Sequence, residues 1–430
     1  MHRSLALTGL LAIISPQLVI AQEQGDALFN VDQVVEIRLT FAGGDPFDSL
    51  TYYYEAGNEQ LMMASMVLTD ALGAHTFAQV GVRFKGNSTY NFHDGRKKPF
   101  KIDLDEYVPQ QNIHGLRKLN LNNGWSDPTF LREKVFMDAC REVGIMAPRV
   151  GFANLLVNDQ HWGFYNLVEQ VDKRFLKRFI GTNEGNLYKA GDNYSSELPA
   201  PDASANLKYY GTSAAQYGNR YELKTNEHLT DWADLIDLID FINNSTNTEF
   251  REEADNRMDL DGVMRSLIMD NLFGNLDSYI SSGRNYYFYH DDVDDRWKWI
   301  HWDGNMSFGG YASLMNNPAN LSTTYHVQDR PLMKRIVDDA TLRQRYLEHF
   351  CDIRSLLPSS ALFARIDTLR DLVRPHVQAD ANKQFTFAQF ETNIQSNVEQ
   401  GFFQPPIPGL KSFYTSRLNS LNSSLNCSVI

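Results

Sequence analysis

The sequence predicts an α+β protein of bilobal form, with a strand-rich N-terminal lobe carrying one helix over residues 22–172 and a mainly helical C-terminal lobe over 173–430. Two observations predict it. Up to about residue 172, short apolar-polar runs are separated by turn residues; beyond it, apolar residues recur mostly at helical spacing. The apolar content is that of an ordinary globular protein with plentiful aromatics, so 430 residues can bury a large core.

Residues 1–21 stand apart from both lobes. Met1-His2-Arg3 is a short basic start, Leu5 to Ile20 is mostly apolar, and Val19-Ile20-Ala21 offers a cleavage site before Gln22. This is a signal-peptide pattern, and the expected location is secreted, periplasmic or at the cell surface. The apolar stretch is short for a span, and nothing later is apolar enough to cross a bilayer. An exported chain permits one disulfide among Cys140, Cys351 and Cys427, with one thiol left over, and spacing does not choose the pair.

In chain order, Val34 to Phe41 alternates as a half-buried strand does. Ala78 to Phe84 is a second strand, and Lys85 to Thr89 is the turn after it. Pro99 opens a third, Phe100 to Leu104, with its polar residues on one face. Ser126-Asp127-Pro128 starts a helix in which Leu131, Val135, Phe136, Ala139 and Val143 share a stripe; Gly144 ends it, and Glu133 lies off the stripe. Val150 to Val157 and Gly163 to Val168 form a hairpin about Asn158 to His161, and a basic helix, Lys173 to Phe179, follows. An irregular insertion occupies about 190–220. Helices are expected at Leu229 to Ile242, Leu260 to Phe273, Thr341 to Leu357, Ala361 to Val373 and Leu410 to Leu425. A strand pair, Asn285 to His290 and Trp297 to His301, is set among them about the acidic turn Asp291 to Asp295.

Chemistry concentrates in 274–309. Asp277 falls on a loop just past a helix, Asn285 begins the next strand, and Asp303 ends the one after. Three oxygen-bearing side chains at the ends of adjacent elements can converge on one hard cation. Mg²⁺ takes a few such ligands plus water and phosphate oxygens. Phosphoryl transfer needs that metal and a carboxylate to orient the attacking group. Asp and Asn also cap turns that carry no chemistry, and an Asp-x-Asn pair after a strand also suits Ca²⁺. A net charge of −13 makes nonspecific nucleic-acid binding a poor expectation. No His-Glu-x-x-His marks a zinc protease, and no Gly-x-Ser-x-Gly marks a serine hydrolase.

Asn275-Leu276-Asp277-Ser278-Tyr279, Asn285-Tyr286-Tyr287-Phe288-Tyr289 and Trp302-Asp303-Gly304-Asn305-Met306-Ser307-Phe308 resemble signature blocks of the CotH kinase (spore coat protein H-like) family. Arg83 to Thr89, Lys97 to Lys101, Asp127 to Glu133 and Gly163 to Asp172 are similar to further blocks, and the ordered series runs from about residue 34 to about 425. The resemblance implies a distant protein-kinase-like fold with ATP and a divalent metal, Mg²⁺ or Mn²⁺, between the lobes. Asp277 then matches the catalytic-loop aspartate that orients or deprotonates the acceptor hydroxyl. Asn285 and Asp303 match the metal ligands.

On the nucleotide side, Lys101 stands on a strand before a helix, where a lysine reaches phosphates, with Glu133 as its partner by analogy with kinases. Arg83 and Lys85 are rival phosphate contacts, and the Lys85 to Thr89 turn stands in for a glycine-rich loop. Glu169 falls at the hinge, where its backbone could meet adenine. A solvated charged face for Lys101 and Glu133, and a structural hinge acid for Glu169, are the plainer readings. The glycine-rich, Val-Ala-Ile-Lys, His-Arg-Asp and Asp-Phe-Gly motifs of ordinary kinases are absent, and Arg284 stands where the family commonly has histidine. The implied activity is transfer of the ATP γ-phosphate to Ser or Thr hydroxyls of secreted or surface, coat-type proteins. The alternative is a catalytically weak or inactive coat-assembly or surface-adhesion protein on the same fold; a calcium-dependent carbohydrate binder is a third reading.

Overall fold

Alternation in the N-terminal half is realised as a closed barrel. The computed structural model describes residues 24–29, 33–57, 59–191, 204–229, 232–311, 317–401 and 404–428. The signal peptide expected over 1–21 lies outside these. The barrel strands are β1 (Val35–Thr40), β2 (Met62–Asp70), β3 (Gly73–Phe84), β4 (Phe100–Asp103), β5 (Lys118–Asn122), β6 (Val150–Val157) and β7 (Gln160–Glu169). Their spatial order is β1-β2-β3-β4-β5-β7-β6, closed by parallel pairing of β1 with β6. Closure removes the sheet edges. Val35, Ile37 and Leu39 of β1 and Ala64, Met66 and Leu68 of β2 point into the buried interior at every second residue.

Strands β6 and β7 are buried on both faces. Ala153, Leu155, Tyr165 and Leu167 join the barrel core, whereas Val150, Phe152, Phe164 and Val168 join a second, larger core. That core also takes in a four-stranded antiparallel sheet: β8 (Asn186–Ala190), β9 (Tyr221–Leu223), β10 (Tyr286–Asp291) and β11 (Arg296–His301), in the order β11-β10-β8-β9. The helices Arg132–Glu142, Ala233–Asn244, Leu260–Leu272, Ala340–Leu356, Ser359–Ala379 and Leu410–Ser424 pack with it. The predicted insertion sits between β8 and β9. Its residues 192–203 are outside the described residues, and 204–220 hold only a short 3-10 turn, Ala214–Gln216.

Several elements differ from expectation. The first 172 residues carry more than one helix: Asp26–Phe29, Phe47–Glu55 and Ser88–Asn91 precede Arg132–Glu142. Phe47–Glu55 buries only Leu50, so no apolar stripe announces it. The unpredicted β2 is built largely of Met, Ala and Leu, which favour helices in isolation and pair here only because β1 and β3 flank it. The helix predicted from Ser126-Asp127-Pro128 begins at Arg132. Leu131 occupies the cap position without a side-chain cap, and the free Arg132 N–H is met by Asp127 Oδ2, five residues earlier, at 2.9 Å. Gly144, at φ +81°, donates to the Arg141 carbonyl and ends the helix as expected.

Cys351 and Cys427 form the disulfide, and Cys140 is a buried thiol. The bridge closes a loop of 76 residues, so replacing both cysteines by serine should cost about 4 kcal/mol by loop-closure entropy. The check is the urea midpoint of the double variant against that of the oxidised wild type. Among the described residues no helix is long and apolar enough to cross a membrane.

Candidate functional site

One cleft of about 600 Å³ is lined by Arg83, Lys85, Lys101, Glu133, Asp277, Asn285 and Asp303. Seven of the eight residues singled out from the sequence therefore meet in one place; Glu169 does not.

The loop carrying Asp277 is pinned to the helix before it. Asn275 donates through Nδ2 to Asp270 Oδ1 at 2.9 Å and through its N–H to the Asp270 carbonyl at 2.8 Å. Asn285 then donates through Nδ2 to the Asp277 carbonyl at 2.7 Å and to Asp277 Oδ2 at 3.1 Å. The Arg284 Nε lies 3.9 Å from Asp277 Oδ1. Tyr286 pairs with His301 in the β10–β11 ladder, so Asn285 and Asp303 flank the same end of that hairpin. Both have left-handed backbones, Asn285 at φ +64° and Asp303 at φ +56°. Non-glycine residues adopt that conformation at a cost, and it recurs at functional sites.

The helix carrying Glu133 is clamped to the loop carrying Asp303. A Cβ on Gly304 would lie 2.4 Å from the Phe136 ring, so only glycine allows this approach. The buried Arg132 donates to the Ser307 carbonyl at 3.0 Å and to Asn393 Oδ1 at 2.8 Å, and the Ser307 hydroxyl donates back to the Arg132 carbonyl at 3.2 Å. Glu133 is buried beside Asp303 as a result. Burial and the Asp303 charge push its carboxyl up to about 7, against hydrogen bonds from Asn122 and Asn166 and the Lys85 charge.

The lysine facing Glu133 is Lys85. Its Nζ donates to Asn122 Oδ1 at 2.8 Å, and Asn122 Nδ2 donates to both Glu133 oxygens at 3.0 and 3.2 Å. Burial lowers Lys85 to about 8, although Glu133 and Asp303 favour its charged form. The expected pairing of Lys101 with Glu133 is corrected accordingly. Lys101 sits on β4 opposite Arg83 of β3. Burial, then Arg83, Lys118 and Lys224, lower it to about 7, and the carboxylate that most favours its charge is Glu59. Arg83 is itself ion-paired with Glu59 at 2.7 Å.

Glu169 is buried in an ion-pair network outside the cleft. Arg149 donates to it from Nη2 at 2.8 Å and from Nε at 3.1 Å, and Arg178 donates from Nη2 at 2.8 Å. Its backbone N–H donates to the Arg149 carbonyl. The neighbouring Gln170 lines the cleft instead. Asn122 and Asn166 were not legible as site residues. Asn122 ends β5 in a run of asparagines and Asn166 lies between Tyr165 and Leu167 on β7, and it is the β5–β7 register that pairs the two.

Among the described residues, the cleft lining holds neither His nor Cys. Its donors are carboxylate and carboxamide oxygens, which suit a hard divalent ion such as Mg²⁺ or Mn²⁺ and are a poor set for zinc.

The raised Glu133 carboxyl makes stability depend on pH. The folded, metal-free chain holds a proton there that the unfolded chain releases near 4.5. That contribution is full below about 4.5 and is lost as pH rises through about 7. Relative to Glu133→Gln, the wild type should lose on the order of 3 kcal/mol between about pH 5 and 8. Urea midpoints of both proteins across that range provide the measurement.

A family model described as CotH kinase protein matches residues 82–421. The chain is 25% identical over 317 residues to inner spore coat protein H of Bacillus subtilis (strain 168), covering 73% of this chain and 81% of that protein. It is 20% identical over 336 residues to invasin CotH3 of Rhizopus delemar, covering 71% of this chain and 53% of the invasin, about half of its length. Among solved structures, a complex of the Shewanella oneidensis MR-1 toxin–antitoxin proteins HipA and HipB with operator DNA matches at 13% identity and a TM-score of 0.26, covering 78% of this chain and 66% of that one. That score is too low to inform the fold. The family model spans well over half of the sequence and includes the whole set Asp277, Asn285 and Asp303, so the chain belongs to the CotH kinase family.

Proposed function

We propose that the chain is an exported, two-lobed, kinase-like phosphotransferase, passing the ATP γ-phosphate to Ser or Thr hydroxyls of secreted or surface proteins. The observation that supports this reading is the convergence of Asp277, Asn285, Asp303, Lys85 and Glu133 on one cleft. The lobes would divide near residue 172.

Asn285 and Asp303 would hold Mg²⁺ or Mn²⁺, which when bound supplies charge neutralisation at the phosphates. Lys85 would meet the nucleotide phosphates, with Arg83 and Lys101 beside it. Asn122 and Glu133 keep the Lys85 ammonium in place. Asp277, fixed by Asn285, would accept a hydrogen bond from the acceptor hydroxyl and take its proton as that oxygen attacks. Purified protein with labelled ATP, Mg²⁺ or Mn²⁺ and casein-like acceptors is expected to yield labelled Ser or Thr. Absence of label under either metal overturns the reading.

The names of the relatives, a spore coat protein and an invasin, favour a second reading: a coat-assembly or surface-adhesion protein with weak or absent catalysis. The two separate by thermal shift. Stabilisation by ATP with Mg²⁺ that disappears in Asp303→Ala supports a nucleotide site. Coat or host-surface binding that survives the same substitution supports a scaffold.

A further inference from the structure

We infer that Asp70, His75 and His114 form a separate metal site, for Zn²⁺ or a similar first-row divalent ion, at one end of the barrel. None of the three lines the cleft.

Asp70 continues the interior-facing set Ala64, Met66 and Leu68 of β2, so its carboxylate sits at the mouth of an apolar interior. Its side chain has no exposed surface. A carboxylate in that position needs polar partners. His75 pairs with Leu68 across the β2–β3 ladder, and paired residues share a face. His114 arrives from a different segment, the two-residue turn between Ile113 and Leu116. Those two residues exchange backbone hydrogen bonds at 2.9 and 2.8 Å, and both are buried in the barrel core. The turn requires positive φ at both central residues, and His114 adopts +47° with Gly115 at +82°.

These placements bring three ligand atoms within 4.8 Å of one another. His75 Nε2 lies 3.2 Å from Asp70 Oδ1, and His114 Nε2 lies 2.6 Å from Asp70 Oδ2. The imidazole rings meet edge to face at 4.8 Å. The Leu72 N–H donates to Oδ1 at 2.8 Å, which fixes the carboxylate and leaves Oδ2 to face His114. The His75 and His114 side chains are 30% and 19% exposed, so solvent reaches the cluster.

Two imidazoles and one carboxylate with an open fourth position are a zinc-type donor set. Zinc ligands in a tetrahedron lie about 3.3 Å apart, so the 2.6 Å contact between His114 Nε2 and Asp70 Oδ2 has to open when the ion binds. The bound ion would tie the β2–β3 hairpin to a turn 44 residues farther along the chain and hold that end of the barrel closed.

The test is calorimetric titration of the chelator-treated, full-length chain with ZnCl₂, followed by dialysis and metal analysis. The expected result is one zinc bound at this site, and a Tm raised by several degrees at saturating zinc. His75→Gln and His114→Asn should each weaken it about tenfold or more, while Asp303→Asn leaves it in place. Asparagine suits the left-handed position at 114; if that variant does not fold by circular dichroism, the His75→Gln result decides. Co²⁺ in place of zinc should give a visible absorption band that both histidine variants lose. No zinc uptake, or uptake unchanged in both histidine variants, overturns the inference and leaves two imidazoles sharing a carboxylate by hydrogen bonds alone.

Discussion

Asp303→Ala is expected to lower labelled-phosphate transfer by about 10³-fold while the chain stays folded. The loss follows from position. Asp303 flanks Asn285 at the end of the β10–β11 hairpin, and it is the acid whose charge both Glu133 and Lys85 feel. Removing it takes away a proposed metal ligand and part of the field that keeps Lys85 protonated. Folding should suffer little, because the residue is half-buried and its loop is held by Gly304 and by Arg132 donating to Ser307. Alanine at φ +56° adds only about 1 kcal/mol of backbone strain. A second readout needs no activity: with Asp303 gone, the Glu133 carboxyl should return toward its ordinary range, and the pH dependence of stability should shrink. Transfer undiminished in Asp303→Ala would remove this residue from the chemistry.

Lys97→Met should destabilise the chain by about 3–5 kcal/mol. Lys97 and Asp380 have no exposed side-chain surface and lie 2.6 Å apart. The pair joins the segment before β4 to the end of the helix Ser359–Ala379, 283 residues away. Asp380 also accepts from the Phe164 N–H at 3.0 Å and the Asn382 N–H at 2.8 Å, and the Lys97 Nζ lies 4.4 Å from the Phe130 ring centroid. Burial lowers Lys97 to about 8, and Lys97 in turn holds the Asp380 carboxyl below its usual range. Taking the lysine away strands a buried carboxylate. Adding Asp380→Asn to Lys97→Met should recover part of the loss, a coupling that a double-mutant cycle on urea midpoints measures. A single-variant cost below about 1 kcal/mol would show that the pair contributes little to stability.

How far the sequence could be read depended on whether the information was local. The β6–β7 hairpin was legible because Asn158 and Asp159 supply the two positive-φ residues of a tight turn between alternating runs. Asp277, Asn285 and Asp303 were legible because each marks the end of a locally readable element, and the ordered family blocks supplied the roles proposed for them. Nothing in Arg96-Lys97-Lys98 distinguishes the lysine that is wholly buried from its neighbours.

By itself the sequence determined an α+β chain, most of its strands and helices, and one oxygen-rich cluster, because backbone periodicity and element ends are written in local spacing. Only the tertiary structure decided that β1 pairs with β6 to close a barrel, that Lys85 rather than Lys101 faces Glu133 through Asn122, and that Glu169 belongs to Arg149 and Arg178. Those outcomes depend on strand register and on the clamp between Arg132 and Ser307, which join residues far apart in the chain.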